Sequence, residues 1–254
     1  MNLHQYITKY RGSDSKLETV VRESGDKAQF YWEAINKFEA ETIREIDWYS
    51  HRMERYYSVT GAPRSCTFFL DCTSRLVIGQ GVSSVLETHL STHPVYGVPF
   101  IPGSALKGLA AHYCHNRLGQ NPTFRMNGSS YNVLFGNQEK AGMIHYCDAF
   151  PTPETVADAL HLDILTPHHQ KYNQLRTNDL ANGQNAPSPR DDDSPVPVPF
   201  LTVKAKFRVL LTCESDQPEA DEWLEIAKTI VTKAAEQEGL GGKTNSGYGQ
   251  MRSV

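Results

Sequence analysis

The chain has 254 residues, 39% hydrophobic and 21% charged, with 25 Lys and Arg against 29 Asp and Glu and a formal net charge of −4. That length buries a full core as one large domain or two small ones, and the balance excludes wholesale disorder, a fibrous repeat and a generically basic nucleic-acid binder. Any contact with nucleic acid has to rest on local patches or on charge supplied by neighbouring subunits.

Residues Lys27 to Tyr57 predict one long amphipathic helix: Tyr31, Ile35, Phe38, Thr42, Ile46, Tyr49, Met53 and Tyr56 recur at steps of three and four. Its stripe serves a core or a neighbouring subunit, and Arg52 and Arg55 near its end read as a solvated face. A strand follows over Cys66 to Ile78, with Leu70, Cys72, Leu76 and Ile78 on one parity. It runs through Gly79-Gln80-Gly81 into a loop, Val82 to Val98, carrying Glu87, His89 and His93.

The stretch Gly97-Val98-Pro99-Phe100-Ile101-Pro102-Gly103-Ser104-Ala105-Leu106-Lys107-Gly108 comes next. Two prolines keep the entry extended, Ser104 is the expected N-cap, and Leu106, Leu109, Ala110 and Tyr113 give the helix an apolar side. Free N–H groups around Gly103 and Ser104, with Lys107 in the first turn, would form an anion site; an ordinary capped helix with a solvated lysine fits the segment equally.

A polar interval, Gly119 to Ser130, leads to Leu134-Phe135-Gly136. Gly142 to Ala149 reads as a strand and Leu162 to Leu165 as a short extended piece, followed by Thr166-Pro167-His168-His169. The Asn-, Asp-, Ser- and Pro-rich interval Asn173 to Pro199 is a long loop or insertion. Phe200 to Thr212 predicts a single strand with Leu201, Val203, Ala205, Phe207, Val209 and Leu211 inward and Thr202, Lys204, Lys206 and Arg208 outward. An amphipathic helix over Asp221 to Glu238 places Trp223, Leu224, Ala227, Ile230, Val231 and Ala234 on one stripe.

That helix feeds the most informative stretch, Gly239-Leu240-Gly241-Gly242-Lys243-Thr244-Asn245-Ser246-Gly247-Tyr248-Gly249, before a short terminal strand. Crowded glycines let a ligand approach main-chain N–H groups, so the loop reads as an anion-binding nest with Lys243 as a point charge. Helix capping explains Gly239 alone. Gly242-Lys243-Thr244 also spells the end of a Walker A motif. Gln237, however, stands where its first glycine belongs, and the loop follows a helix where that motif follows a strand.

From Cys66 onward the elements read strand, helix, strand, insertion, strand, helix, strand, the β-α-β-β-α-β order of an α+β, ferredoxin-like (RRM-like) fold. The expected division is an N-terminal helical extension, 1–62, and a ferredoxin-like domain, 63–254, with an insertion at 170–199. The five cysteines, Cys66, Cys72, Cys114, Cys147 and Cys213, form no CxxC pair and read as reduced thiols of a cytoplasmic protein. No apolar run reaches membrane-spanning length, so no membrane partner is expected.

The Gly97–Gly108 and Gly239–Gly249 stretches together resemble the two signature motifs of the RAMP superfamily of CRISPR-associated proteins. The resemblance extends through Arg75-Leu76-Val77-Ile78-Gly79, Ser84-Val85-Leu86-Glu87-Thr88, Asp148-Ala149-Phe150-Pro151 and Leu162-Asp163-Ile164-Leu165-Thr166-Pro167-His168-His169. Within the superfamily it is most similar to the sixth-subunit family of type III-B (Cmr) effector complexes, over about Phe68 to the end. The resemblance implies a non-catalytic subunit, without cofactor, that binds the CRISPR guide RNA toward its 3′ end for antiviral RNA targeting. Its partners would be guide RNA, target RNA, backbone RAMP subunits and small helical subunits. Guide backbones are held by sequence-blind phosphate contacts. The expected contacts are therefore Gly103, Ser104, Lys107, Gly241, Gly242, Lys243, Thr244, Asn245 and Tyr248, with His168 and His169 facing RNA. Tyr248 fits stacking on a base or ribose, or a place in the core.

Three rival readings have residues of their own. His161, Asp163, His168 and His169 are metal-ligand types, but their spacing matches no standard set. Guide processing by general acid/base chemistry would draw on His93, His112, His168 and His169, none at a readable catalytic spacing. A purely architectural subunit would use the long N-terminal helix.

Overall fold

The computed structural model describes residues 2–9, 24–60, 64–81, 89–166, 197–215 and 217–254. In chain order the elements are α1 (Leu3–Lys9), α2 (Ser24–Arg44), α3 (Ile46–Thr60), β1 (Arg64–Cys72), α4 (Gly103–Arg117), α5 (Ser129–Phe135), β2 (Ile144–Tyr146), β3 (Phe150–Pro151), β4 (Leu160–Leu165), β5 (Val198–Val203), β6 (Lys206–Cys213), α6 (Ala220–Gln237) and β7 (Met251–Ser253). Single 3-10 turns lie at Pro122–Phe124 and Thr244–Ser246. The chain is thus a mixture of helices and antiparallel sheet.

β1 is the spine of the main sheet. It pairs antiparallel with β6 from Arg64↔Cys213 to Asp71↔Lys206, and on its other side with β7 from Leu70↔Ser253 to Cys72↔Met251. β2 extends the sheet beyond β6, giving the order β2-β6-β1-β7, and β3 also pairs with β6. Strand side chains alternate between faces. Phe68, Leu70 and Cys72 are buried on the face that α6 covers with Leu224, Ala227, Ile230 and Val231, and α4 packs beside it. β4 and β5 form a separate two-stranded ladder, joined to the segment after β1 by the Leu76↔Val203 bridge.

The residues expected to form one N-terminal helix form two, α2 and α3, joined at Glu45, whose N–H is shared between the carbonyls of Glu41 and Thr42. The stripe has to serve two surfaces. α2 packs on β4 and β5, whereas α3 reaches the main sheet, Tyr49 Oη donating to Pro151 O at 2.6 Å and Tyr57 Oη to Arg208 O at 2.8 Å. Tyr31, Ile35, Phe38, Tyr49 and Met53 are buried as the spacing requires.

Phe200 to Thr212 is not one strand. The chain leaves β5 at Val203 and enters β6 at Lys206, changing partner from β4 to β1 while inward–outward parity continues. Thr202, expected outward, is buried, its hydroxyl donating to His161 O. Gly142 to Ala149 likewise yields only β2, after which Ala149 exchanges hydrogen bonds with Ile101 and β3 begins. The polar interval contains a 3-10 turn, and α5 follows at Ser129. Nearly all of the 170–199 insertion, and His168 and His169, lie outside the described residues. Among those described, no helix is long and apolar enough to cross a membrane. All five cysteines are free thiols; Cys72, Cys114 and Cys213 are buried.

The start of α4 corrects the capping expectation. The N-cap position is Pro102, Ser104 is exposed and makes no cap, and Asp148 Oδ1 instead accepts from Gly103 N–H at 2.7 Å. A carboxylate on a helix N-terminus satisfies an orphan donor and the positive end of the dipole together. Asp148→Ala is therefore expected to lower stability by about 1 kcal/mol in denaturant unfolding, the usual cost of losing a cap.

Candidate nucleic-acid interface

α6 ends at a reversal. Gly239 takes a φ of 76° directly after the C-cap Glu238, and Leu240 is buried. From there the tail runs back against the segment that follows β1. Gly242 N–H donates to Val77 O at 2.7 Å, Gly249 N–H to Arg75 O at 2.8 Å, and Leu240 N–H closes the loop onto Gly249 O at 2.8 Å. Gly241, with a φ of 88°, passes so close to Val77 that a Cβ would collide with the carbonyl oxygen. Its glycine is thus demanded by the chain itself, not by a ligand. Gly242 differs: its φ is not positive, and a Cβ there would meet Val77 only at ordinary contact distance.

The crest of the loop faces outward. Lys243 adopts the left-handed conformation, φ 60° and ψ 29°, and opens the 3-10 turn. Ser246 and Gly247 N–H are spent on Lys243 O and Thr244 O. Those of Lys243, Thr244 and Asn245 have no acceptor among the described residues, and the Lys243 ammonium forms no ion pair there. Three successive free amides beside a lysine are the kind of donor set an anion would need.

Tyr248 is anchored. Its hydroxyl donates to Asp163 Oδ2 at 2.9 Å, and Arg75 Nη1 reaches the same oxygen at 3.0 Å and Leu162 O at 3.2 Å. Burial raises the Tyr248 phenol, and the Asp163 carboxylate raises it further. Burial pushes the Asp163 carboxyl up, but hydrogen bonds from Ile164 N–H, Tyr248 and Arg75 outweigh it and hold the group below the ordinary carboxylate value. The ring lies 6.1 Å from that of Phe200. Tyr248 thus ties the loop to β4 and β5. Neither Arg75 nor Asp163 is among the expected RNA contacts; Asp163 enters the sequence reading only as a metal-ligand type, and both lie in stretches that carry the family resemblance.

The other expected anchor is partly closed. Gly103 is buried, a Cβ on it would strike Tyr146 O, and its N–H is taken by Asp148. The anion seat expected at this helix start holds the protein's own carboxylate. Lys107, half-buried one turn on, forms no ion pair among the described residues. α4 and α6 run antiparallel: His112 Nδ1 lies 2.9 Å from Glu238 Oε2 and Tyr113 Oη 3.1 Å from Gln237 Oε1, while Leu118 faces Ile226 and Ile230. Lys107 precedes His112 by five residues, about 7 Å along the axis, and so sits at the end of the helix layer where the glycine loop begins.

The catalytic rivals find no assembly among the described residues. No group of three or more His, Cys, Asp or Glu is arranged to hold a metal there. His93 is half-buried, lowered by that burial, and accepts from Val95 and Tyr96 N–H through Nδ1. His112 lies on the far helix with Glu238 and Asn116.

A helix-backed antiparallel sheet whose last helix and last strand are joined by this glycine loop belongs to the RAMP superfamily, whose family model matches residues 69–252. In particular, the chain is similar to CRISPR system Cmr subunit Cmr6 of Pyrococcus furiosus, at 28% identity over 80% of this chain and 70% of that protein. Cmr6 of Saccharolobus solfataricus is 26% identical over 71% of this chain and 55% of its own length. The fold matches a chain in the cryo-EM structure of the type III-B Cmr-beta complex bound to cognate target RNA, with a TM-score of 0.57 at 19% identity over 100% of this chain and 86% of that one.

The Asp163 cluster generates a prediction with a definite sign. A depressed carboxyl contributes stability that is present above its unfolded value, about 3.9, and lost as pH falls through the folded value. Asp163→Asn should cost about 1 kcal/mol near neutrality, the low end for a charged hydrogen bond because the group is partly exposed. The gap in melting temperature from wild type should close as pH is taken below that value.

Proposed function

We propose that this chain is a non-catalytic subunit of a type III-B Cmr effector, holding the sugar-phosphate backbone of guide RNA toward its 3′ end and supporting assembly for antiviral RNA targeting. The observation that carries the proposal is the outward seat of three unpaired amides beside Lys243. Lys107 stands at the same end of the helix layer as a second cation. Such contacts grip phosphate without reading sequence, as a guide that must leave its bases free requires.

Ser104, Lys107, Lys243, Thr244, Asn245 and Gly242 supply the contacts; Gly103 and Gly241 serve by shape, and Tyr248 by fixing the loop. His168 and His169 are proposed to face the RNA with the insertion. The ferredoxin-like assignment, over 63–254 with a helical extension at 1–62, is supported by the strand order β7-β1-β6-β2. In that order the first and third strands of β-α-β-β-α-β lie side by side at the centre. Backbone RAMP subunits, small helical subunits and target RNA complete the proposed set of partners, in a cytoplasmic, cofactor-free assembly.

Lys243→Ala and Lys107→Ala, tested in the assembled complex, are expected to weaken RNA binding alike for all sequences. Each should reduce the slope of log K against log salt by about one. Gly242→Ala is the sharper probe, because the fold tolerates its Cβ. Unchanged melting with weakened RNA binding supports backbone approach at the loop, and unchanged affinity in all three variants rejects it. Repeat RNA incubated with the chain in EDTA should stay intact; specific cleavage would instead favour a guide-processing ribonuclease.

A further inference from the structure

The sheet face turned away from α4 and α6 holds a groove of about 370 Å³ between α3, β1, β3 and β6, with Phe69, Tyr57, Pro151, Lys206 and Arg208 in its lining and Glu54 and Glu154 also contributing. Phe69 stands directly opposite Arg208 in the ladder. Lys206 Nζ lies 4.7 Å from the centroid of the Phe69 ring, and Arg208 Cζ 4.1 Å from that of Tyr57. Arg208 Nη1 donates to Glu54 Oε1 at 2.9 Å, but its Nε is buried and has no acceptor. Lys206 forms no ion pair among the described residues. The groove is electrically balanced, so it offers no broad field. What it offers is an aromatic face, an apolar wall and one unpaired ammonium, Lys206, beside the ring, which fits a flat ring joined to an anion.

We infer that this groove seats one unpaired nucleotide of a single-stranded RNA, its base against Phe69 and Pro151 and its phosphate at Lys206. The volume is at the small end of ligand sites and suits a single nucleotide. Lys206 covers the ring in the free chain and passes to the phosphate when a base arrives; base stacking outweighs the cation–ring attraction given up. The inference rests on the RNA-binding reading above but uses a different surface, so the two fail separately.

The test is fluorescence anisotropy of the full chain with a short labelled oligouridylate, with ultraviolet cross-links mapped by mass spectrometry. Phe69→Ala should weaken binding about tenfold, the loss of one stacked base, and Phe69→Trp should retain it. Lys206→Ala should lower the salt slope by about one. Phe69→Leu keeps apolar bulk and removes the ring face, and gives the same reading if Phe69→Ala melts early. Cross-links to the peptide containing Phe69 support the groove. If Lys243→Ala weakens binding while Phe69→Leu leaves it unchanged, the groove is wrong and the backbone grip stands. If the wild-type chain binds no RNA, the groove is wrong, and the backbone grip is judged by the variants in the assembled complex. A partner polypeptide cross-linked at Phe69 in the native complex also overturns the inference.

Discussion

Three backbone hydrogen bonds, from Gly242 N–H to Val77 O, from Gly249 N–H to Arg75 O and from Leu240 N–H to Gly249 O, hold the tail of the chain against the segment that leaves β1. Main chain meets main chain there so closely that a Cβ on Gly241 would strike Val77 O and one on Gly249 would strike Leu240 O. The consequences run outward from that contact. It delivers β7 to the free side of β1 in register, and it leaves the crest of the loop nothing to do but face solvent. On the proposed function, a seat fixed in this way would lose little entropy when filled, its three amides being held before any RNA arrives.

The glycine spacing of the tail was visible in the sequence, but its cause was not. Crowded glycines suggest room for a ligand, whereas Gly241 is consumed in bringing the loop against Val77, and Gly242 is the one whose Cβ position is open while its φ is not positive. Local patterns also cannot see a change of partner. Alternation from Val203 to Val209 continues across the passage from β5 to β6, because leaving one ladder and entering another can preserve parity. The apolar stripe of 27–57 is continuous for the same reason, although α2 and α3 bury it against different surfaces. Where a side chain interacts far along the chain, the sequence is silent: nothing near Gly103 announces Asp148, and nothing near Tyr248 announces Asp163.

Such long-range pairing also bears on a net charge of −4 in a chain read as holding RNA. Many described carboxylates are matched by the chain's own cations: Asp163 by Arg75, Asp71 by Arg252, Glu54 by Arg208, and Glu238 by Arg117. Lys107, Lys243 and Lys206 are not matched in this way among the described residues. Total charge sets the far field, which salt screens within about 10 Å, whereas a phosphate in contact responds to the donors it touches. On the proposed function, a chain of this balance would attract a polyanion weakly from a distance and grip it locally. Such behaviour would suit a subunit that meets RNA inside an assembly, where neighbours could supply the long-range attraction and this surface the fit.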